Sequence, residues 1–488
     1  MAIMIVVDNP RDWPPELPDV NVVDARTYLT SSEYAQMKHL RVFNLCSTYE
    51  YQSLGYYVSL LAAAREHRPL PSVMAIQEMK STTMLRFISD ELDELIQKSL
   101  SHIQSDKYTL SIYFGKNVAK RYDRLCNELF KQFEAPLLRA KFVRNDRWIL
   151  QSVRPVPTDE IPEDHWPAVL LFATDYFDKR RHRVHKREVA RYDLAILHNP
   201  EESHPPSNER AMKKFVKAAE ELGFGVELIT KDDFGRIAEF DALFIRETTL
   251  VHHHTYRFAQ RAAAEGLVVI DDPESILKCS NKVFLAELLD CNNIDKPKTM
   301  ILHRNNIDEL VERIGLPCVI KEPDSSFSRG VFKVETEDDL QKVRELFDKS
   351  DLVIAQEFVP TEYDWRIGII DQKPIYVCKY HMAKKQWKIQ VTDDGGKTSY
   401  GNVDTIPVKK APRNVIDTAL KIANLIGDGL YGVDLKQYGD RVMVIEVNDN
   451  PNIDCGFEDS VLKDDLYDII MKVFLQRVEQ RKEKRKSS

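Results

Sequence analysis

Two strand-like runs near the end of the chain, Leu430-Tyr-Gly-Val-Asp-Leu-Lys436 and Arg441-Val-Met-Val-Ile-Glu-Val-Asn448, flank the turn Gln437-Tyr-Gly-Asp440. Apolar runs on either side of a glycine-containing turn predict a β-hairpin, so this part of the chain is committed to a sheet. Side chains alternate along a strand with a period of two, which predicts that Val442, Val444, Glu446 and Asn448 share one face. A hairpin can bring Asp434 across to that face, although the sequence leaves the register open. Two carboxylates and an amide oxygen make the hard-oxygen set that Mg²⁺ prefers, with substrate phosphates completing its octahedron. A second reading is an edge hairpin whose polar side chains are simply solvated.

Further upstream, Leu316-Pro-Cys-Val-Ile-Lys321 ends an apolar strand on Lys321, and the small-residue loop Asp324-Ser-Ser-Phe-Ser-Arg-Gly330 leads into a strand from Val331 to Val334. A strand–loop–strand arrangement can fold over phosphates, offering Ser326, Ser328 and backbone N–H groups, Gly330 included, as donors. An ordinary hairpin loop is the alternative. Lys282 opens a helix and is placed to reach a phosphate. Asp351 to Pro360 reads as a buried strand that contains Gln356-Glu357-Phe358-Val359. In Asp364-Trp-Arg366-Ile-Gly-Ile-Ile370 an arginine interrupts an apolar strand. A buried guanidinium without an anion is costly, so Arg366 faces a carboxylate or a phosphate, with Asp364 a possible structural partner.

The rest of the 488 residues sort into stretches around this one. Residues 1–155 open with the strand Ile3–Val7, continue through helical periods at 54–65 and 85–100, and include an alternating strand at 108–114. Prolines at 155, 157, 162 and 167 and the basic run Lys179–Arg191 mark a linker over 156–191. From 192 to 280 short apolar strands alternate with amphipathic helices, which predicts a small α/β domain with a mainly parallel sheet. Residues 281–475 carry the chemistry, and 476–488 form a basic tail expected to fray. In the α/β domain, Arg246 at a strand end is a candidate to read a substrate carboxylate. The run His252-His253-His254 that follows is not expected to hold a metal, because adjacent residues of an extended chain point to opposite faces.

Composition narrows the setting. Lys and Arg total 69 against 77 for Asp and Glu, a net charge of −8, which argues against a general nucleic-acid binder. Seven cysteines are scattered without metal spacing and read as reduced thiols. The short apolar start lacks the core of a signal peptide, and no stretch approaches the ~18 apolar residues of a membrane span. A cytoplasmic location is expected.

Taken in order, Lys282, Lys321 with its loop, Gln356-Glu-Phe-Val359, Asp364-Trp-Arg366, Gly432-Val-Asp434 and Glu446-Val-Asn448-Asp-Asn450-Pro451 resemble the ATP-grasp superfamily, and within it the RimK-type glutamate ligases, near the glutathione synthetases. The resemblance spans roughly 190–475, and residues 1–155 resemble the accessory domain found in front of some RimK-like ligases. It implies an α/β fold in three parts: the accessory domain, a small parallel-sheet domain, and a two-lobed ATP-grasp domain of the α+β kind. It also implies that Lys282 and Lys321 bind ATP phosphates and that Gln356 to Val359 form the hinge along the adenine and ribose, with Asp364 among the nucleotide contacts. By the same resemblance Asp434, Glu446 and Asn448 hold Mg²⁺ or Mn²⁺, Arg366 holds the transferred phosphoryl or acyl-phosphate oxygens, and Asn450 lies near the acceptor.

The activity implied is an ATP-dependent carboxylate–amine ligation through an acyl phosphate, on amino acids, a small peptide or a protein acceptor. A phosphotransferase or a non-catalytic nucleotide-binding protein are the alternatives, and a homo-oligomer is expected by analogy. Two departures stand out. The loop at 325–329 carries serines and an arginine where the family is richer in glycine. The stretch between Lys379 and Gly401 also does not follow the family's usual acceptor pattern.

Overall fold

A computed structural model describes residues 2–13, 20–37, 40–65, 67–133, 135–184, 190–324, 330–347, 350–383, 390–392 and 398–487. The chain divides into two compact units, Met1–Ala190 with Asp232–Glu239, and Arg191–Lys231 with Phe240–Ser488.

In the first unit a four-stranded sheet runs in the order Val20–Asp24, Ala2–Val7, Leu40–Asn44, Arg68–Leu70, with every neighbouring pair parallel. Met4 to Val7 are all buried, as expected for a strand covered on both faces. A three-stranded antiparallel sheet follows from Lys107–Tyr113, Leu137–Arg144 and Trp148–Pro155. The helical stretch expected over 85–100 is two helices, Thr82–Glu91 and Asp93–Leu100. Ser81 caps the first, and Asp93 and Glu94 open the second, where acidic side chains favour a helix start.

The second unit begins with the expected small parallel sheet, in the order Val268–Ile270, Ala242–Ile245, Tyr192–Leu197, Phe224–Ile229. The helix Glu209–Glu221, capped by Asn208, presents Phe215 to Phe244 of that sheet at 5.1 Å and to Tyr467 at 4.7 Å. Tyr467 belongs to the long helix Asp464–Ser487. The basic tail therefore does not fray within the described residues. The helix carries it to Ser487, because Val478 is buried and Arg477 pairs with Asp371 at 3.2 Å.

Two further sheets of this unit frame the chemistry. One is antiparallel, in the order Thr299–Leu302, Val353–Glu357, Cys318–Lys321, Val331–Val334. The other is a five-stranded antiparallel sheet, in the order Val403–Ile406, Lys373–His381, Tyr363–Ile370, Leu430–Tyr438, Arg441–Asn448. The hairpin pairs Asp434 with Glu446 and Gly432 with Asn448. Its alternation is not continuous, however. The register shifts at Asp434/Leu435, and Leu435 pairs with Val444, which leaves Ile445 as the extra residue of a bulge. Val442 and Val444 consequently join Leu435 and Val447 in the hydrophobic core, and only Glu446 and Asn448 share the polar face. The single face expected for Val442, Val444, Glu446 and Asn448 is thereby corrected. Period two holds on each side of the bulge and fails across it.

The five-stranded sheet tolerates little extra volume. A Cβ on Gly368 would lie 2.1 Å from the ring of Tyr376, which is itself buried and donates its hydroxyl to the Asn452 carbonyl at 3.2 Å. Gly368→Ala is expected to lower stability by roughly 1–3 kcal/mol through overpacking. A denaturant titration of the unit containing this sheet checks this, and an unchanged midpoint would contradict it.

Candidate active site

The two antiparallel sheets of the second unit open onto a cavity of about 600 Å³. Lys282, Lys321, Gln356 to Val359, Asp364, Arg366, Asp434, Glu446, Asn448 and Asn450, all singled out from the sequence, line it. Ser326 and Ser328 lie outside the described residues. Gly330 ends that loop at φ +62, and its carbonyl accepts the Glu322 N–H at 3.0 Å. A Cβ there would approach the movable Glu322 carboxyl to 2.6 Å, so it is the positive φ that favours glycine.

The centre of the site is a cross-strand pair. Arg366 sits directly opposite Asp434 in the antiparallel register and donates to both of its oxygens, Nε to Oδ1 and an Nη to Oδ2, each at 2.7 Å. The side chains are 15% and 13% exposed, so the fork stands at the cavity wall with little water to compete. Tyr380, on the other neighbouring strand, lies under the guanidinium, 4.8 Å from ring centre to Cζ. Burial pushes the Asp434 carboxyl above its ordinary range, and the guanidinium opposes that shift. The partner required for a buried arginine is thus Asp434, whereas Asp364 pairs elsewhere.

Around this fork the remaining groups form a chain of contacts. Asn448 turns its amide nitrogen to Asp434 Oδ2 and to the Gly432 carbonyl, both at 3.3 Å. Glu446 lies across from Asp434 and 3.7 Å from the Lys282 ammonium. Lys282 starts the helix Lys282–Cys291. Its cap, Asn281, accepts from Phe284 N at 2.9 Å and donates to Asp324 at 2.8 Å, tying the helix start to the loop after Lys321. Lys321 donates to Gln356 Oε1 at 2.8 Å, and Gln356 in turn donates to Thr299 at 3.2 Å. Glu357 closes its strand by accepting the Lys298 N–H at 3.2 Å.

A set of oxygen donors suited to a hard cation is therefore assembled. The guanidinium takes one lone pair on each Asp434 oxygen and the Asn448 amide nitrogen a second on Oδ2, which leaves a site on Asp434 Oδ1 beside the oxygens of Glu446 and Asn448, a set that fits a hard divalent ion.

Lys436 was not singled out from the sequence. It follows Asp434 by two on the same strand, and its ammonium lies 2.6 Å from both Asp364 Oδ1 and Thr361 Oγ1. The signal was the same alternation that places Asp434, read one step further. Asp449, Asp454, Tyr380 and Glu458 also line the cavity and were missed. Burial pushes Asp449 up to about 7. Glu458 accepts the Tyr380 hydroxyl and the Asp454 N–H.

Arg246 is placed differently from its expected role. It is 1% exposed and directs its donors inward, to Ser207 Oγ, the Pro206 and Pro451 carbonyls, and Asn450 Oδ1 at 2.6 Å. Full burial and internal bonding leave it holding Asn450 and Pro451 in place rather than reading a ligand. Asn450 also donates to the Glu247 carbonyl at 2.7 Å.

Lys321 is buried near two other lysines, Lys282 and Lys436, and near the Glu446 and Asp364 carboxylates. Its pKa is lowered to about 8, chiefly by burial; Glu446 and Asp364 oppose the shift, while Lys282 and Lys436 add to it. Between about 8 and the ordinary lysine value of 10.5 the unfolded chain holds a proton that the folded one lacks. This group therefore makes stability rise with pH across that window. An NMR titration of the Lys321 side chain is expected to show a midpoint near 8, moving lower in Glu446→Gln. An ordinary lysine midpoint would contradict the geometry.

Comparison with known proteins agrees with this architecture. Residues 279–470 match the RimK-like ATP-grasp domain, and residues 25–170 match the RimK-like ATPgrasp N-terminal domain. The alpha-aminoadipate--LysW ligase LysX of Saccharolobus solfataricus is 29% identical over 261 residues, covering 49% of this chain and 88% of that protein. The tetrahydromethanopterin:alpha-L-glutamate ligase of Methanocaldococcus jannaschii is 26% identical over 244 residues, covering 47% of this chain and 78% of its own length. A probable alpha-L-glutamate ligase of Vibrio vulnificus is 25% identical over 234 residues, 47% of this chain and 74% of that one. The resemblance carried by the ordered motifs is borne out: the chain carries a RimK-like ATP-grasp domain over 279–470, preceded by a RimK-like N-terminal domain over 25–170.

Proposed function

We propose that this protein is an ATP-dependent carboxylate–amine ligase that joins an amino acid to a small-molecule, peptide or protein acceptor through an acyl phosphate. The observation that carries the reading is the convergence of Lys282, Lys321, Arg366 and Lys436 with Asp434, Glu446 and Asn448 on one cavity. Its relatives are named as ligases, one for alpha-aminoadipate and LysW and others for glutamate. Their acceptors differ, which suits a common activating centre with a variable acceptor end.

The roles follow from charge and position. The hinge Gln356 to Val359 holds the base and ribose, and Lys282 and Lys321 hold the phosphates of ATP. Asp434, Glu446 and Asn448 would hold Mg²⁺, which when bound would supply charge neutralisation for the transferred phosphoryl group. An oxygen of the substrate carboxylate bonds to the γ-phosphorus as the bond to the β-bridging oxygen breaks, and ADP leaves. The amine of the second substrate then bonds to the acyl carbon, the carbon–oxygen bond breaks with its electron pair leaving on phosphate, and the nitrogen gives up a proton to the departing phosphate or to solvent. Arg366, held in plane by Asp434, faces the transferred phosphoryl oxygens. It is fixed before reaction begins, which is where electrostatic catalysis gains most. Lys436 holds Asp364 at the nucleotide side.

The experiment is ADP and phosphate release with Mg²⁺-ATP across pooled amino acids, dipeptides and candidate protein acceptors, with mass spectrometry of products. The expected result is amino-acid-dependent turnover and an acceptor heavier by one residue. Arg366→Lys, which cannot reproduce the planar fork, is expected to lower kcat by about 10²–10³, or roughly 3–4 kcal/mol. Glu446→Ala is expected to be inactive. ADP release with a stable phosphorylated product and no amide would instead establish a phosphotransferase, and absence of ATP binding would sink the proposal.

A further inference from the structure

The run His252-His253-His254 was not expected to bind metal, because it was read as extended chain. The backbone does otherwise. After the strand Ala242–Ile245 the chain turns, with the His253 N–H donated to the Leu250 carbonyl at 3.0 Å, and a helix starts at His254. His253 is the helix N-cap and His254 the first helical residue, so the alternation of a strand does not apply. Their rings lie side by side, 3.9 Å between centroids.

Glu247 completes the group. One ligand atom from each of Glu247, His253 and His254 lies within 4.8 Å of the others. Glu247 is 2% exposed, and its Oε2 has no hydrogen-bond partner among the described residues. Its Oε1 is 2.8 Å from His254 Nε2, yet that nitrogen also lacks an aligned hydrogen bond. A buried carboxylate with an idle oxygen is expensive unless a cation satisfies it. Two imidazoles and one carboxylate are ligands for a borderline transition-metal dication, and three protein ligands leave an open coordination position.

From these positions we infer that Glu247, His253 and His254 form a binding site for a transition-metal dication of the Zn²⁺ class, separate from the hard-oxygen set at Asp434. The ligands stand at the two ends of one short loop. Thr248, Thr249 and Leu250 between them line the large cavity. A bound ion therefore clasps the loop that forms part of the cavity wall, and closing so short a segment costs little entropy. The inference does not depend on the proposed ligase chemistry.

The test uses the full chain without a histidine tag, dialysed against Zn²⁺ in excess Mg²⁺, with metal content measured per chain. Co²⁺ replaces Zn²⁺ for visible d–d absorption. The expected result is a single tightly bound Zn²⁺ and a four- or five-coordinate Co²⁺ spectrum. Either His253→Ala or His254→Ala should weaken binding by at least about tenfold and abolish the spectrum, whereas Glu446→Ala should keep both. His253 and His254 are partly exposed at a helix start, so these variants report on the site even if Glu247→Gln fails to fold. The site is refuted by a wild-type chain that binds no zinc, by histidine variants that bind it as the wild type does, or by loss of zinc in Glu446→Ala.

Discussion

The bidentate contact between Arg366 and Asp434 joins two adjacent strands of the five-stranded sheet at the wall of the cavity, and the geometry of the site depends on it. A buried arginine and a buried aspartate are each unfavourable alone. Paired in one plane, they become two oriented groups that neither water nor side-chain motion readily displaces. Asn448 bonds to the same carboxylate, Glu446 faces it across the hairpin, and Tyr380 lies beneath the guanidinium. Removing either charge would leave the other uncompensated and release the neighbouring donors. The pair therefore links the stability of the sheet to the arrangement of the chemistry.

The rest of the cavity mixes both signs of charge, with Lys282, Lys321 and Lys436 among carboxylates that include Asp364 and Glu446. Lys321 is held where its ammonium is poorly solvated and has other cations nearby. A polyphosphate relieves this cost, so part of the binding energy of a nucleotide would come from strain already present in the empty protein. Glu446 lies 3.7 Å from the Lys282 ammonium and also favours the charged form of Lys321, so one carboxylate serves both lysines.

The hairpin and the lysine-ended strand were legible because burial on one face and chemistry on the other imprint a pattern on local sequence. The order of these motifs along the chain then identified the family. What local pattern could not supply was the bulge at Ile445, which moves Val442 and Val444 to the core face while leaving Glu446 and Asn448 in the site. It could not supply the destination of Arg246 either. Whether an arginine at a strand end meets a ligand or a neighbouring loop is decided by residues more than two hundred positions away, Asn450 and Pro451. Lys436 was overlooked although its spacing from Asp434 announced it. The histidine run lies at a turn and a helix start, where the alternation of a strand does not apply. In each case the missing information was tertiary or lay at an element boundary, where periodicity ends.

The central claim is that a substrate carboxylate is activated by direct attack on ATP. Oxygen tracing tests it most directly. An amino-acid substrate labelled with ¹⁸O in the carboxyl group that forms the amide is turned over with unlabelled Mg²⁺-ATP, and the released phosphate is analysed by mass. An acyl phosphate transfers one labelled oxygen to each phosphate, and that is the predicted result. Phosphate free of label, with amide still formed, would contradict the account.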